Sequence, residues 1–380
     1  MEGLTKPVYV TKPLLPALDG IVQRLEDIWE SGQMTNQGGQ HELLQKELKL
    51  FLGIDRLELF NNGTIALLLG LKALGLSGEV ITTPFTFPAT VQALDWNGLT
   101  PVFCDIRPDT LNIDPKKIEA LITEKTTAIL GVHVFGNLCD VERIQEIADK
   151  YNLKVIYDGA HVFGTKSGGV PVANYGDMTM FSFHATKLFH TVEGGALAFK
   201  DERITEVLRM LRNFGITGPD QVALSGLNGK MNELQAAVGL EVLPLVERER
   251  KKRQRLKELY ERELTGVPGL RIITNLEGEE SSYQYFVIEI DEAGFGCSRN
   301  DVHDKLLKRN VSARKYFYPL CSGFEWYSGL QSSRPEHLPN AHMAVDRTLA
   351  LPFYGALGEW EVERICSFLK QLNAQALIAQ

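Results

Sequence analysis

The sequence lacks the features that mark a membrane, secreted or nucleic-acid-binding protein. Its 380 residues contain no apolar run long enough to cross a bilayer, and the start has no basic segment followed by an apolar one. The formal net charge of -8 argues against nucleic acid as the main partner. We therefore expect a cytoplasmic protein with neither a membrane nor a nucleic-acid partner.

Cysteine is scarce and scattered as well. The five cysteines include no C-x-x-C pair and lie far apart, at Cys104, Cys139, Cys297, Cys321 and Cys366. A structural zinc site needs clustered ligands, and persistent disulfides belong to oxidising compartments. We expect free or buried thiols in a reducing compartment, and no metal site.

What the sequence does contain is an alternation of short apolar strands with amphipathic helices. Such alternation predicts an α/β fold, with a mostly parallel sheet and helices on both of its faces. Pro244 is expected to kink a long helix and to mark the passage to a second domain. We predict a large domain over residues 31–245. A smaller C-terminal α+β domain would comprise residues 246–380 together with the N-terminal segment 1–30.

The chain is organised around residues 155–196. A buried strand over residues 154–157 runs into Asp158. A second apolar strand over residues 178–183 is followed by Lys187 in a polar turn. Since ligands bind at the carboxyl ends of the strands in an open α/β sheet, both residues are expected at one functional edge.

An acid and a lysine at one edge match two groups of pyridoxal 5′-phosphate (PLP), its ring nitrogen and its aldehyde. The aldehyde of PLP needs a lysine amine such as Lys187 to form a Schiff base. Its ring nitrogen needs a carboxylate such as Asp158 to stay protonated. Its phosphate needs hydroxyls and backbone N–H groups, and Ser182 is one candidate. Each residue alone is more often a surface lysine or a helix-capping aspartate, but the combination predicts a PLP site.

Three motifs in this stretch carry a resemblance to a known family. D-G-A-H-x-F-G begins at Asp158, S-F-H-A-T-K ends at Lys187, and E-G-G begins at Glu193. Together they resemble the DegT/DnrJ/StrS family of sugar aminotransferases, and the resemblance runs from about Thr35 to Leu351. It implies PLP fold type I, the aspartate aminotransferase-like α/β fold, and a homodimer with shared active sites.

The resemblance also implies which residues act. Lys187 and Asp158 are expected to be catalytic. Further cofactor contacts are expected at Gly63, Thr64, Phe87, His161, Ser182 and Asn232, the last of which in the family reaches the phosphate bound in the other subunit. The start of a predicted helix at Gly63 and Thr64 also favours a phosphate on physical grounds. A threonine that only caps the helix would give the same pattern, and Phe87 alone would more often be a core residue.

Substrate contacts are expected at Thr35, His184, Lys230 and Tyr316. Many members of the family have an arginine where this chain has Lys230, which keeps the charge but loses the planar fork of the guanidinium. His133 ends another predicted strand. It either faces the active site or is a structural histidine.

The implied reaction moves an amino group from L-glutamate, which leaves as 2-oxoglutarate, to a nucleotide-linked keto sugar. S-F-H-A-T-K-x-F, N-G-K-M-N-E and R-K-Y-F-Y-P are nearest to the subgroup that uses dTDP-linked 4-keto-6-deoxyglucose in surface-polysaccharide or deoxysugar synthesis. A dTDP-linked 3-keto sugar, or a UDP- or GDP-linked 4-keto sugar, is the alternative. A related dehydratase would have histidine in place of Lys187, and His184 does not replace it. A non-catalytic regulator would lack the lysine or add a DNA-binding module.

Overall fold

The computed structural model describes residues 5–273 and 279–378, in which helices and strands alternate along most of the chain. The helices are α1 (Leu18–Ser31), α2 (Gly39–Leu52), α3 (Gly63–Ala73), α4 (Pro88–Asp95), α5 (Pro115–Ile118), α6 (Val141–Tyr151), α7 (Ile204–Leu211), α8 (Glu233–Val242), α9 (Val246–Leu264), α10 (Glu292–Phe295), α11 (Arg299–Leu307), α12 (Pro339–Arg347) and α13 (Glu359–Ile378). The strands are β1 (Leu57–Phe60), β2 (Glu79–Thr82), β3 (Thr100–Phe103), β4 (Thr126–Val132), β5 (Lys154–Asp158), β6 (Lys166–Ser167), β7 (Val170–Pro171), β8 (Met178–Ser182), β9 (Gly195–Phe199), β10 (Ile216–Gly218), β11 (Gln221–Val222), β12 (Leu270–Ile273), β13 (Glu279–Glu280), β14 (Phe286–Ile290) and β15 (Thr348–Leu351).

Within the described residues, a seven-stranded sheet forms the centre of the fold, in the order β1-β9-β8-β5-β4-β2-β3. The run from β8 to β3 is parallel, and β9 is antiparallel to both of its neighbours. The predicted α/β fold with a mostly parallel sheet is therefore confirmed. The register pairs Asp158 with Val132 of β4 and with Met180 of β8, at the carboxyl edge of the sheet.

The apolar runs of the sequence become the central strands because these strands are covered on both faces. Ile129 of β4 and Val155 and Ile156 of β5 are all inaccessible to solvent. Helix α6 buries Ile144 and Ile147, one turn apart, against β4 and β5. Burial on both faces fixes the position of each strand along its own axis. It therefore determines where Asp158 emerges at the carboxyl edge of the sheet.

A second unit follows α9 and is built on the antiparallel sheet β12-β14-β15. Val8 belongs to the core of this unit, and its amide donates to the Asn310 carbonyl (2.8 Å). Helix α1, in contrast, packs on α8, where Arg24 pairs with Glu241. Residues 5–30 therefore contact both units, and the predicted division at residue 245 stays a prediction.

Two predicted boundaries differ from the structure, and left-handed backbone lies at both. The sequence pattern predicts a strand over residues 283–290, but the strand begins at Phe286, because Tyr283 has a φ of 50° that no extended strand contains. The sequence pattern also predicts a helix over residues 201–214. The helix there is α7, which ends at Leu211, and Phe214 has a φ of 57°. Pro244 lies in a 3₁₀ turn between α8 and α9, where the sequence predicts a kink.

In residues 5–273 and 279–378, none of the helices is long and apolar enough to cross a membrane. The same residues hold no group of three or more His, Cys, Asp or Glu side chains placed to bind a metal ion. None of the five cysteines forms a disulfide, and Cys297 alone among them is partly exposed.

Candidate active site

A cavity of about 720 Å³ opens at the carboxyl edge of the large sheet. Its size suits a cofactor together with part of a substrate. Residues from distant parts of the chain meet there, because the start of α3, the start of α4 and the ends of β5 and β8 share this edge. The predicted site residues that line it are Gly63, Thr64, Phe87, Asp158, His161, Ser182, His184, Lys187 and Tyr316.

Asp158, the last residue of β5, is held firmly in the cavity wall. Its side chain is 6% exposed; Oδ2 accepts a hydrogen bond from the Thr90 hydroxyl (2.7 Å), and Oδ1 accepts one from the Ala160 amide (3.0 Å). Burial raises the pKa of Asp158, although these hydrogen bonds and the charge of Lys187 oppose the rise. A cation that bound beside this carboxylate would be strongly favoured, since it would compensate for the lost hydration.

Lys187 lies in the irregular loop of residues 183–194, between β8 and β9. Its amide donates to the His184 carbonyl (2.9 Å), and its ammonium lies 5.9 Å from the centre of the Tyr285 ring. Burial lowers the pKa of Lys187, against the opposing attraction of Asp158. A lowered pKa enlarges the neutral fraction of the amine, which is the form that attacks an aldehyde.

The start of α3 forms another end of the cavity. Asn62, not Thr64, caps this helix: its side-chain oxygen accepts from the Ile65 amide (2.8 Å). Gly63 and Thr64 stand in the first turn, where N–H groups lack intrahelical acceptors and favour an anion. A Cβ on Gly63 would lie 3.0 Å from Cβ of Ser182, so glycine lets the helix start approach the end of β8. The alternative in which Thr64 serves as the cap is wrong.

His161 lies in a cluster of aromatic rings near Asp158. Its ring is parallel to that of Phe317 (3° between planes, centroids 6.0 Å apart) and edge-on to that of Tyr285 (centroids 5.0 Å apart). Nδ1 accepts from the Phe135 amide (3.2 Å), which assigns the proton to Nε2. Burial lowers the pKa of His161 well below its ordinary value, and the charge of Lys187 acts in the same direction. The imidazole is therefore a neutral, flat part of the wall.

Phe87, His184 and Tyr316 lie around the cavity mouth. Phe87 precedes α4 and remains 58% exposed, so its ring has a free face on which a flat ligand could stack. His184 is exposed; its Nδ1 lies 2.8 Å from the Thr186 hydroxyl, and its Nε2 lies 3.6 Å from Oε1 of Glu193. Burial raises the pKa of Tyr316 to about 12, so its phenol stays neutral and able to donate.

Three predicted residues do not line this cavity. Thr35 lies in an exposed bend before α2. Lys230 donates to the side-chain oxygen of Asn213 (2.7 Å) in a separate depression. Asn232 caps α8, where its side chain accepts from the Gln235 amide (2.9 Å). Within one chain these residues cannot complete the site, and their predicted roles stay predictions.

His133 is a structural residue. It is fully buried, its ring stacks on Tyr157 with centroids 4.6 Å apart, and Nδ1 accepts from the Cys139 amide (3.0 Å). Burial lowers its pKa to about 3. The alternative that places His133 in the active site is therefore excluded.

Sequence reasoning missed several residues of the cavity. Asn62 could have been found, because asparagine is among the preferred N-caps. Thr90 supports Asp158, and Tyr285 faces Lys187. These two have no local signal, since only the tertiary fold brings α4 and the second unit to the sheet edge. Arg314 also lines the wall, and it could have been found as the arginine that begins the R-K-Y-F-Y-P motif.

The cavity has the features of the site of a PLP-dependent transferase. Buried Asp158 ends β5, Lys187 with its lowered pKa follows the neighbouring parallel strand β8, and the first turn of α3 is open to an anion. The chain belongs to the DegT/DnrJ/EryC1/StrS aminotransferase family, whose profile matches residues 19–370. The aminotransferase activity predicted from the sequence is thereby confirmed.

Individual relatives agree with this membership. Over 367 residues the chain is 45% identical to a dTDP-4-amino-4,6-dideoxy-D-glucose transaminase of Escherichia coli, with 96% of this chain and 98% of the relative covered. The Shigella dysenteriae protein of the same name is 42% identical, with 97% of this chain and 100% of the relative covered. Among solved structures, DesI in the presence of its TDP-sugar product superposes with a TM-score of 0.94 at 33% identity, over 100% of this chain and 96% of DesI.

PLP is the cofactor of this family, as the sequence predicts. The cavity fits it on its own chemistry. The buried carboxylate of Asp158 suits a protonated ring nitrogen, the lowered pKa of Lys187 suits an aldehyde partner, and the first turn of α3 suits a phosphate.

Proposed function

We propose that this chain moves the amino group of L-glutamate to a dTDP-linked 4-keto-6-deoxyhexose. The substrate would be dTDP-4-keto-6-deoxyglucose, and the product dTDP-4-amino-4,6-dideoxyglucose. The observation that carries the proposal is the 45% identity, across 96% of the chain, to an Escherichia coli transaminase named for that sugar. The cavity that holds Asp158 and Lys187 together supplies the chemistry that such a reaction needs.

The proposed roles follow from the surroundings of each side chain. Bound PLP would supply an aldehyde that accepts the amino group and a ring that withdraws electrons from the reacting carbon. Asp158 would hold a proton on the ring nitrogen. Lys187 would take a proton from the substrate carbon at Nζ and return it to the carbon on the other side of the transferred nitrogen.

The remaining cavity residues would bind and orient the ligands. Gly63, Thr64 and Ser182 would bind the phosphate, and Phe87 and His161 would offer flat surfaces to the ring. His184 and Tyr316 would contact the sugar nucleotide at the cavity mouth. These assignments are supported by the position of each residue in one cavity.

We also propose a homodimer in which two chains complete each site. The support is that Thr35, Lys230 and Asn232 lie outside the cavity of their own chain, while Phe87 remains 58% exposed. The test mixes two inactive proteins, Lys187→Ala and Asn232→Ala, so that hybrid dimers contain one intact site. Recovery of part of the wild-type activity is expected, and a fully active monomer would overturn the shared site.

The proposed product suggests a biological role. We propose that the amino sugar, linked to dTDP, is the activated form that is delivered to a surface polysaccharide such as O-antigen. Five cysteines without a disulfide fit the reducing cytoplasm. We also propose residues 31–245 as the cofactor-binding domain and residues 246–380, together with the N-terminal segment 1–30, as the smaller domain.

The decisive experiment identifies the product. The purified protein, loaded with PLP, is incubated with L-glutamate and a panel of dTDP-, UDP- and GDP-linked keto sugars. NMR of the product is expected to place the new amine on carbon 4 of the dTDP-linked sugar. An amine on carbon 3, or a clear preference for a UDP or GDP sugar, would replace this substrate assignment with the alternative.

A further inference from the structure

The loop that carries Lys187 has little regular structure of its own. The Phe183 amide donates to the Gly194 carbonyl (2.8 Å), and the Thr191 amide donates to the Phe183 carbonyl (3.0 Å). These two bonds close the base of the loop. The tip around Lys187 extends beyond them. A turn from the Lys187 amide to the His184 carbonyl (2.9 Å) shapes the tip, and side chains outside the loop hold it against the rest of the fold.

Gln284, just before β14, holds this tip. Its Oε1 accepts from the Leu188 amide (2.8 Å), and its Nε2 donates to the Thr186 carbonyl (3.0 Å). The two partners are the residues directly before and after Lys187. Since one partner is a donor and the other an acceptor, the orientation of the amide is fixed. The side chain is 2% exposed, so both bonds are shielded from water.

The segment that carries Gln284 is anchored in turn by α9. Arg253 donates to the Tyr283 carbonyl (3.3 Å), and it is buried and paired with Glu249 (2.8 Å). Arg250, one turn earlier, donates to the carbonyl of Ser281 through two nitrogens. Two cations therefore fix the backbone on the N-terminal side of Gln284.

The neighbours of Gln284 contact the other wall of the cavity. The Ser282 hydroxyl donates to the His161 carbonyl (2.5 Å). The Tyr285 ring lies edge-on to His161 and faces the ammonium of Lys187. One short segment thus touches both the loop of the lysine and the strand end next to Asp158.

We propose that Gln284 is a positioning residue for Lys187, whose backbone it fixes on both sides so that Nζ stays in the cavity and faces the cofactor aldehyde. The inference rests on the proposed function, since it takes Lys187 as the residue that binds PLP. Loss of the amide leaves one buried donor and one buried acceptor without a partner, and the loop tip relaxes to satisfy them. Lys187 then samples more polar surroundings.

The test measures how fast the apoprotein captures PLP, from the visible absorbance of the adduct, as a function of pH. Gln284→Leu keeps the bulk of the side chain and removes both bonds. We expect capture near pH 8 to slow about tenfold and its pH midpoint to rise by about one unit, because the lysine returns toward its ordinary pKa.

Gln284→Glu gives a sharper result. A protonated carboxyl can donate to Thr186 and accept from Leu188 as the amide does, whereas an ionised carboxylate cannot donate. Measured against wild type at the same pH, capture by this variant should recover as the pH falls through the pKa of the new carboxyl. A role that is merely structural would not produce this titration.

Asn373→Leu is the matched control. Asn373 is buried, and its amide bridges the Pro268 and Phe295 carbonyls (3.1 Å each), away from the cavity. This variant should lose stability yet capture PLP at the wild-type rate. If Gln284→Leu does not fold, the pH recovery of Gln284→Glu decides. If both Gln284 variants capture PLP like wild type at every pH, the positioning role is overturned. If the wild-type apoprotein forms no adduct at Lys187, the proposed function fails instead.

Discussion

Two buried carboxylates in this fold are stabilised in opposite ways. Glu58 of β1 is 1% exposed and lies 2.8 Å from a guanidinium nitrogen of Arg212 and 2.9 Å from one of Arg209. Asp158 of β5 is 6% exposed, but its oxygens contact a hydroxyl and an amide rather than a cation. The charge of Glu58 is neutralised within the chain. The charge of Asp158 is hydrogen-bonded and remains available to a bound cation.

This contrast shows how a functional charge can be recognised. A buried ion pair is satisfied by the protein itself, and breaking it costs stability. A buried carboxylate that lacks a contacting cation costs stability in the free protein, so its presence in the wall of a cavity indicates a ligand that compensates the cost. Lys187 is a buried cation in the same situation as Asp158. Burial lowers its pKa, and Asp158 attracts its charge without being its salt-bridge partner.

Lys187→Ala should abolish the reaction and leave the fold intact. Transamination should fall below detection, because among the residues that the structure describes no other lysine lines the cavity to move the proton. The thermal unfolding midpoint should stay close to wild type, since the side chain lies in an open cavity and its removal creates no closed void. Activity with the panel of keto sugars and a thermal melt measure the two effects.

Borohydride reduction provides the check on that assignment. In the wild type, peptide mapping should find the reduced cofactor on Lys187, and the Lys187→Ala protein should carry no label. A label on Lys166 or Lys200 would contradict the assignment of the reactive lysine.

Asp158→Asn is expected to separate activity from stability. The amide cannot hold a proton on the cofactor ring, so kcat should fall by about 10²–10⁴-fold, or about 3–5 kcal/mol of transition-state stabilisation. The free energy of unfolding of the apoprotein should be unchanged or higher, because the desolvated charge is gone. The folded-state pKa of Asp158 is raised, so this gain is absent at a pH below the ordinary carboxyl pKa and complete above the folded-state pKa.

Glu58→Gln should show the reverse pattern. It leaves Arg212 buried without the carboxylate charge that neutralises it, so the free energy of unfolding should fall by about 3–5 kcal/mol. The folded variant should retain kcat within about twofold of wild type, well under the ~1.4 kcal/mol that a tenfold change represents. Chemical denaturation and steady-state kinetics on both variants test the crossover. If both variants change kcat and the free energy of unfolding in the same way, the distinction between the two carboxylates is wrong.

The sequence allows the two poles of the site to be predicted because each has a local signal. Asp158 ends one apolar strand, and Lys187 follows a second apolar strand in a polar turn. The apolar pattern of each strand and the position of the charged residue at its end are enough to predict both residues. The same holds for the helix start at Gly63. Sheet order and register then place all three at one edge, which follows from the carboxyl-edge rule for parallel strands.

The supporting groups could not be predicted, for a physical reason. Thr90 lies 68 residues from Asp158 in sequence, and Gln284 lies 96 residues from Leu188. A hydroxyl or an amide in a helix or loop has no pattern that reveals such a partner. Only tertiary packing determines which of many similar residues is buried against the site.

A third buried group, His133, extends the comparison to cations. Burial lowers its pKa to about 3, so the folded protein keeps it neutral while the unfolded chain protonates it below about pH 6.5. Stability should be complete above pH 6.5 and should fall by up to about 1.4 kcal/mol per pH unit from this group as the pH decreases toward 3. His133→Asn keeps an acceptor for the Cys139 amide and should flatten this part of the pH dependence. An unchanged slope between about pH 6 and pH 4 would contradict it.

A milder change tests whether the hydroxyl of Thr90 stabilises the charge of Asp158, which has no contacting cation. Thr90→Val keeps the shape of the side chain and removes the hydroxyl that donates to Oδ2 (2.7 Å). The lost bond favours the ionised carboxylate, so its removal raises the pKa of Asp158 further. The acid limb of the kcat profile should therefore move to higher pH, and kcat should fall about tenfold, or about 1.4 kcal/mol. Thr90→Ser retains the hydroxyl and should behave like wild type in both respects. If valine and serine give the same profile, Thr90 contributes through packing alone, and the carboxylate is held by the Ala160 amide without it.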